Sequence, residues 1–148
     1  MTDRRQVAAV PLRRTKEGAV EVLLVTSRTT GRWIIPKGWR SKRLTDSEAA
    51  AREAKQEAGV KGKIRTRAIG SYSYVKPELG DHPIDVAVYL MRVRKQAKRW
   101  REGHERQRAW FNVLEAASKV TEPELALLIG ALERLGKSFK IKRQGVFA

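Results

Sequence analysis

The sequence predicts an α+β layered domain, and three observations predict it. β-Branched apolar runs fill the first third of the chain, an alanine-rich stretch with capping residues at both ends sits mid-chain, and a second helical stripe of leucines follows further alternating segments. A sheet interrupted by one helix and closed by another buries its apolar faces by stacking the helices on it.

The elements follow in order. Residues 6–12 (QVAAVPL) and 20–27 (VEVLLVTS) are apolar strand-formers separated by the turn-prone Lys16-Glu17-Gly18, and residues 32–35 are a third short run closed by Pro36. Residues 37–44, with Gly38 among them, are expected to form a loop. Thr45-Asp46-Ser47-Glu48 fits the capping box, in which the Thr45 hydroxyl takes an orphan helix N–H and Glu48 reaches back to the cap. Ala49, Ala50, Ala51, Ala54 and Ala58 favour helix, and Gly59 suits its exit, so a helix is expected over 46–58. Residues 64–75 alternate loosely and 84–93 alternate well, with Asp85 and Arg92 on polar positions; Pro77, Gly80 and Pro83 mark the loop between them. After a basic stretch over 92–101, residues 109–111 read as a last short strand and 113–118 as a short helix. Thr121-Glu122-Pro123-Glu124 fits a second capping box, launching a helix with Leu125, Leu128, Ile129, Leu132 and Leu135 on one stripe. No repeat or linker divides the chain, so one domain is expected over 1–136, followed by a basic tail over 137–148.

The 148 residues hold 32 Lys and Arg against 16 Asp and Glu, a formal charge of 32 − 16 = +16. An apolar fraction of 41% argues against disorder despite that charge, and a chain this long buries roughly two-thirds of its unfolded surface. The absence of cysteine excludes a disulfide framework, a Cys-ligated zinc site and a thiol nucleophile. No apolar run reaches the length of a secretory core or a membrane span, so a cytoplasmic protein is expected. The charge favours a polyanionic partner: nucleic acid, an anionic membrane or a small polyphosphate. Both a monomer and a homodimer fit.

The chemistry concentrates in residues 38–60, GWRSKRLTDSEAAAREAKQEAGV. Glu53 and Glu57 stand four apart on the expected helix and share a face, and two carboxylates there suit a hard divalent cation. A solvated, charged helix face is the competing interpretation of the same spacing. Arg52 is placed to orient or neutralise a neighbouring carboxylate.

This segment resembles the Nudix box, Gly-x5-Glu-x7-Arg-Glu-U-x-Glu-Glu-x-Gly-U, where U is a bulky aliphatic residue. Gly38, Arg52, Glu53, Glu57, Gly59 and Val60 fall in register. The departures are Leu44 in the first Glu slot, Ala54 in a bulky slot and Gln56 in the first of the paired Glu slots; Glu48 is the nearest acid to the vacant first slot. The resemblance covers residues 5–135. It implies an α/β/α sandwich around a mixed sheet, and Mg²⁺- or Mn²⁺-dependent hydrolysis of a pyrophosphate linkage in a nucleoside diphosphate joined to another group. It further implies that Glu53 and Glu57 hold the metal, Arg52 positions them, and Gln56 contributes a neutral oxygen. Glu102 and Glu105 are the candidates for a general base on a distant loop, with surface charge as the competing role.

The entry Trp33-Ile34-Ile35-Pro36-Lys37-Gly38 resembles the Pro-Lys-Gly entry of the branch holding diadenosine polyphosphate hydrolases and diphosphoinositol polyphosphate phosphohydrolases. Lys37 and Gly38 would then meet substrate phosphates, joined by Arg40, Lys42 and Arg43 from an acid-free loop. A small, highly charged polyphosphate is the expected substrate. An RNA 5′-end pyrophosphohydrolase, a nucleic-acid-binding protein and a Nudix fold with weakened catalysis stand as alternatives. Trp39, Tyr72 and Tyr74 are candidates for stacking on a base or for packing, and neither His82 nor His104 has a metal-ligand spacing.

Overall fold

The computed structural model describes residues 4–135. In chain order these form β1 (Arg5–Arg14), β2 (Val20–Thr26), β3 (Trp33–Ile34), β4 (Lys37–Trp39), α1 (Asp46–Glu53), β5 (Val60–Ile64), β6 (Gly70–Tyr74), β7 (Ile84–Gln96), β8 (Arg108–Asn112), α2 (Val113–Lys119) and α3 (Pro123–Ala131). All eight strands join one sheet. Its spine runs β3-β2-β1-β7-β5, with β4 added to β1, β6 to β7 and β8 to β2. The β1–β7 pair at its centre is parallel and the remaining pairs are antiparallel, so the sheet is mixed.

Both faces of the sheet are buried. Ala8, Val10 and Leu12 of β1 pack with Val22 and Leu24 of β2 under Val113, Ala116, Leu125 and Ile129 from α2 and α3. The alternate residues, Val7, Ala9, Leu23 and Val25, pack under Ala49, Ala50, Ala54 and Ala58 of the first helix and its extension. Two-residue periodicity sends successive side chains to opposite faces, and covering both faces removes the polar positions, which explains the near-continuous apolar runs. The alanines that signal helix propensity also let the helix lie close to the strands. The resulting α/β/α sandwich is the architecture expected from the sequence.

Four local expectations need correction. Lys37–Trp39 is a short strand, because β1 offers it a free edge: Gln6 pairs with Trp39 and Ala8 with Lys37. The 64–75 segment is divided between two strands that pair with different stretches of β7. The helix over 46–58 changes pitch, since Ala54–Ala58 forms a π-helical turn ended by Gly59 in the left-handed region, φ 69°. At the second capping box Thr121 caps nothing; Glu122 is the cap residue and makes no side-chain cap bond, while the Glu124 carboxylate accepts from the Ser73 amide at 3.2 Å. At Thr45 the box forms in full, with Glu48 Oε1 accepting from the Thr45 amide at 2.9 Å. The tail over 137–148 lies outside the described residues.

Candidate active site

The helix Asp46–Glu53 and its π-helical extension carry Glu53 and Glu57 to the end of β4. The two carboxyl groups lie close enough for each to shift the ionisation of the other. Glu57 is only 6% exposed, and its Oε1 accepts from the Lys37 amide at 3.1 Å, which ties the helix to β4. Gly38 provides the room: a Cβ there would stand 2.5 Å from the Glu53 carboxyl carbon. Its contribution is therefore the missing side chain, which lets Glu53 lie flat on the strand.

Arg106 enters from the loop before β8 and is nearly as buried as Glu57. Its guanidinium lies 3.6 Å from Glu57 Oε2, donates to Glu102 Oε1 at 2.8 Å and donates to the Thr26 carbonyl at 2.9 Å. It fixes two carboxylates and a strand end with one rigid fork. Burial pushes the Glu57 carboxyl up to about 8; Arg106 and the Lys37 amide oppose the rise, and Glu53 and Glu102 add to it. Burial also raises Glu53, against the pull of the neighbouring Glu57 carboxyl and of Arg52. Two neighbouring desolvated carboxyls keep a proton that a divalent cation would replace, so this donor pair fits such an ion. No group of three or more His, Cys, Asp or Glu suited to holding a metal occurs among the described residues.

These groups line an open cleft of about 470 Å³. Arg28, Lys37, Arg40, Arg52, Lys76 and Arg106 surround the three acids Glu53, Glu57 and Glu102. Tyr74 donates to Gln6 at 2.8 Å and accepts from Lys37 Nζ at 3.0 Å, which holds the lysine at the cleft wall. Trp39 lines the cleft with 42% of its surface exposed, whereas Tyr72 is core.

A NUDIX domain profile matches residues 2–129 of the chain. The chain belongs to the Nudix family. It is 35% identical over 97 residues to Nudix hydrolase 17, mitochondrial, of Arabidopsis thaliana, covering 66% of this chain and 52% of that protein. It is 36% identical over 118 residues to human diphosphoinositol polyphosphate phosphohydrolase 3-beta, covering 78% and 68%. The chain thus spans little more than half of the first of these relatives. Its fold matches the crystal structure of a C. elegans Ap4A hydrolase binary complex with a TM-score of 0.74 at 22% identity, covering 91% of this chain and 98% of that one.

The Nudix box explains where the expected residues lie. Lys37, Gly38, Arg40, Arg52, Glu53, Glu57 and Glu102 share the cleft, with Arg52 Nε 4.0 Å from Glu53 Oε2. Gln56 does not: three residues beyond Glu53 and one before Glu57, it turns to a groove behind the Nudix helix, and its carbonyl accepts from the Glu102 amide at 3.1 Å. Leu44, in the box's vacant acid slot, packs against the alanine-lined core, and Glu48 is occupied as a cap. Lys42 and Arg43 are exposed on the loop outside the cleft lining, and Glu105 is exposed with Arg28 3.5 Å away. Arg28, Lys76, Gln6 and Arg106 are the cleft residues that sequence reasoning missed. The only trace of Arg106 in the sequence is its position four residues after Glu102.

Proposed function

We propose that the chain is a divalent-metal-dependent pyrophosphohydrolase acting on a highly charged dinucleoside polyphosphate or diphosphoinositol polyphosphate. The observation that carries this reading is the desolvated Glu53–Glu57 carboxyl pair inside a cleft with six cationic side chains. The names of the human relative and of the C. elegans structure support the same substrate classes.

Glu53 and Glu57 would hold Mg²⁺ or Mn²⁺, which when bound polarises phosphoryl oxygens and lowers the pKa of water. Lys37, Arg40 and Lys76 bind and orient the phosphate chain from the cleft wall. Arg52 and Arg106 position the two carboxylates. Glu102 is the better placed of the two expected bases because it lines the cleft, where Arg106 donates to it at 2.8 Å and Arg28 lies 4.0 Å away.

The test is a phosphate-release screen with Mg²⁺ and Mn²⁺ over dinucleoside polyphosphates, nucleoside triphosphates, nucleotide sugars, inositol pyrophosphates and 5′-triphosphorylated RNA. Turnover is expected on the first or fourth class, with Glu53→Gln and Glu57→Gln each slower by at least about 100-fold. Near wild-type rates in both variants would overturn the proposal. Ligand binding without turnover on any substrate would favour a weakened, ligand-binding Nudix fold, a reading suggested by Gln56 lying outside the cleft.

A further inference from the structure

Behind the Nudix helix, away from Glu53 and Glu57, lies a second and larger groove of about 680 Å³. Arg52, Lys55, Lys61, Lys95, Arg99 and Arg101 form its walls, and among the described residues no acidic one lines it. Its floor includes Gly59, Ala97 and Trp100, with the amides of Gln56 and Gln96 beside them. Trp100 is anchored rather than mobile: its indole N–H donates to the Glu57 carbonyl at 2.9 Å, and Arg108 stacks on the ring at 3.7 Å.

The surrounding sequence extends this charge. Residues 58–77 and 86–101 together hold eleven Lys and Arg and no Asp or Glu. The antiparallel β5–β7 register sets Lys61 opposite Lys95 and Lys63 opposite Arg92. A bulge at Arg94 makes this possible, because one extra residue puts Arg92 and Lys95 on one face. Like charges directly opposed across strands are destabilising, and a bound polyanion relieves them.

The Lys61–Lys95 pair lines the groove and the Lys63–Arg92 pair lies beyond its lining, about 7 Å further along the strand, so the field follows a line rather than a point. A linear polyanion fits it better than a compact one. The apolar floor and the two amides give sugars and bases something to pack against, which a bare phosphate chain lacks. A flat lipid surface would not reach that floor. We propose that this groove binds a single-stranded nucleic acid, with its phosphates along the cationic walls and its nucleosides over Ala97 and Trp100. The inference is independent of the chemistry assigned to the cleft.

Fluorescence anisotropy with a labelled oligouridylate of about 12 nucleotides tests it, with NaCl varied from about 50 to about 200 mM. The Lys61→Glu/Lys95→Glu variant is expected to bind at least about 10-fold more weakly and to lower the log–log salt slope by about 1.4, or about 0.7 for each lost phosphate contact. Arg99→Glu/Arg101→Glu, on the turn after β7, should do the same; it keeps the test decisive if the sheet variant folds poorly. Lys16→Glu/Lys119→Glu changes net charge equally at remote sites and should leave affinity within about 2-fold. Equal weakening in that control, absence of binding by the wild type, or equal competition per phosphate by inorganic polyphosphate would each overturn the proposal. So would a preference for phosphatidylserine vesicles that the same groove variants abolish.

Discussion

Glu57 combines three roles in one carboxyl group: it ties α1 to β4, it meets Glu53, and it anchors the buried Arg106. Its pKa in the fold is about 8, against an ordinary value of 4.5, so between those limits the folded chain holds a proton that the unfolded chain has lost. Stability therefore falls as pH rises from about 4.5 through about 8 in metal-free buffer. Thermal melts in EDTA should show this fall in the wild type and a flatter profile in Glu57→Gln, whose amide needs no proton. Parallel profiles would contradict it. A bound divalent cation should raise the wild-type midpoint more at pH 8 than at pH 6, because it competes with that proton. Arg106 is the counterpart. Its removal leaves Glu57 without a cation and Glu102 with Arg28 alone, and it breaks the bonds to Glu102 and the Thr26 carbonyl, so Arg106→Ala should cost about 1.5–3 kcal/mol in urea unfolding. A cost below about 1 kcal/mol would show that water replaces the guanidinium.

At the scale of elements, the β5–β7 ribbon depends on Gly62. A Cβ at that position would overlap the Arg92 carbonyl and crowd Val93 Cα, and these are backbone atoms of β7 that cannot swing aside as a side chain could. Gly62→Ala should destabilise by roughly 1–3 kcal/mol and loosen the bulge, read by faster amide exchange in β5 and at the end of β7. Unchanged exchange would show that the ribbon shifts register without cost.

The same scale shows what the sequence discloses. α1 is readable because its signals are local: Thr45 and Glu48 bond to each other, and the alanines read as helix-formers lie in the helix, packed on the sheet. The box likewise locates Glu53, Glu57 and Gly38. β4 is not readable, because Lys37–Trp39 becomes a strand only by pairing with β1 thirty residues earlier. Thr121 misleads for a related reason: its motif is complete, but Glu124 is bonded to Ser73 on β6. Arg106 is a long-range partner, and Gln56 shows the limit of a motif slot, since the residue next to Glu57 on the helix points to another face and out of the cleft.

For the whole molecule, a net charge of +16 means self-repulsion that folding concentrates. Adding NaCl from about 10 to about 150 mM shortens the Debye length from about 30 to about 8 Å. The melting midpoint should rise over that range, by about 2–4 °C per kcal/mol of repulsion removed. A falling midpoint would mean that ion pairs such as Arg106 with Glu102 outweigh the repulsion. The fold also separates its charge: one acidic focus sits in the cleft among cations, while the groove behind the same helix has none. A polyphosphate and a nucleic-acid strand would thus meet adjacent faces of one helix, with Arg52 between them.

The parallel pairing at the centre of the sheet carries a consequence for how the chain is made. Val7, Ala8, Ala9 and Val10 are wholly buried, and β1 cannot complete its hydrogen-bond ladder until Asp85 to Arg92 have arrived. On the ribosome those residues follow β1 by some eighty positions, which is on the order of ten seconds of synthesis. For that interval the strand with the longest buried run is a nascent edge, able to pair with any neighbouring chain. The central strand of the finished protein is therefore the segment of the nascent chain most in need of a chaperone.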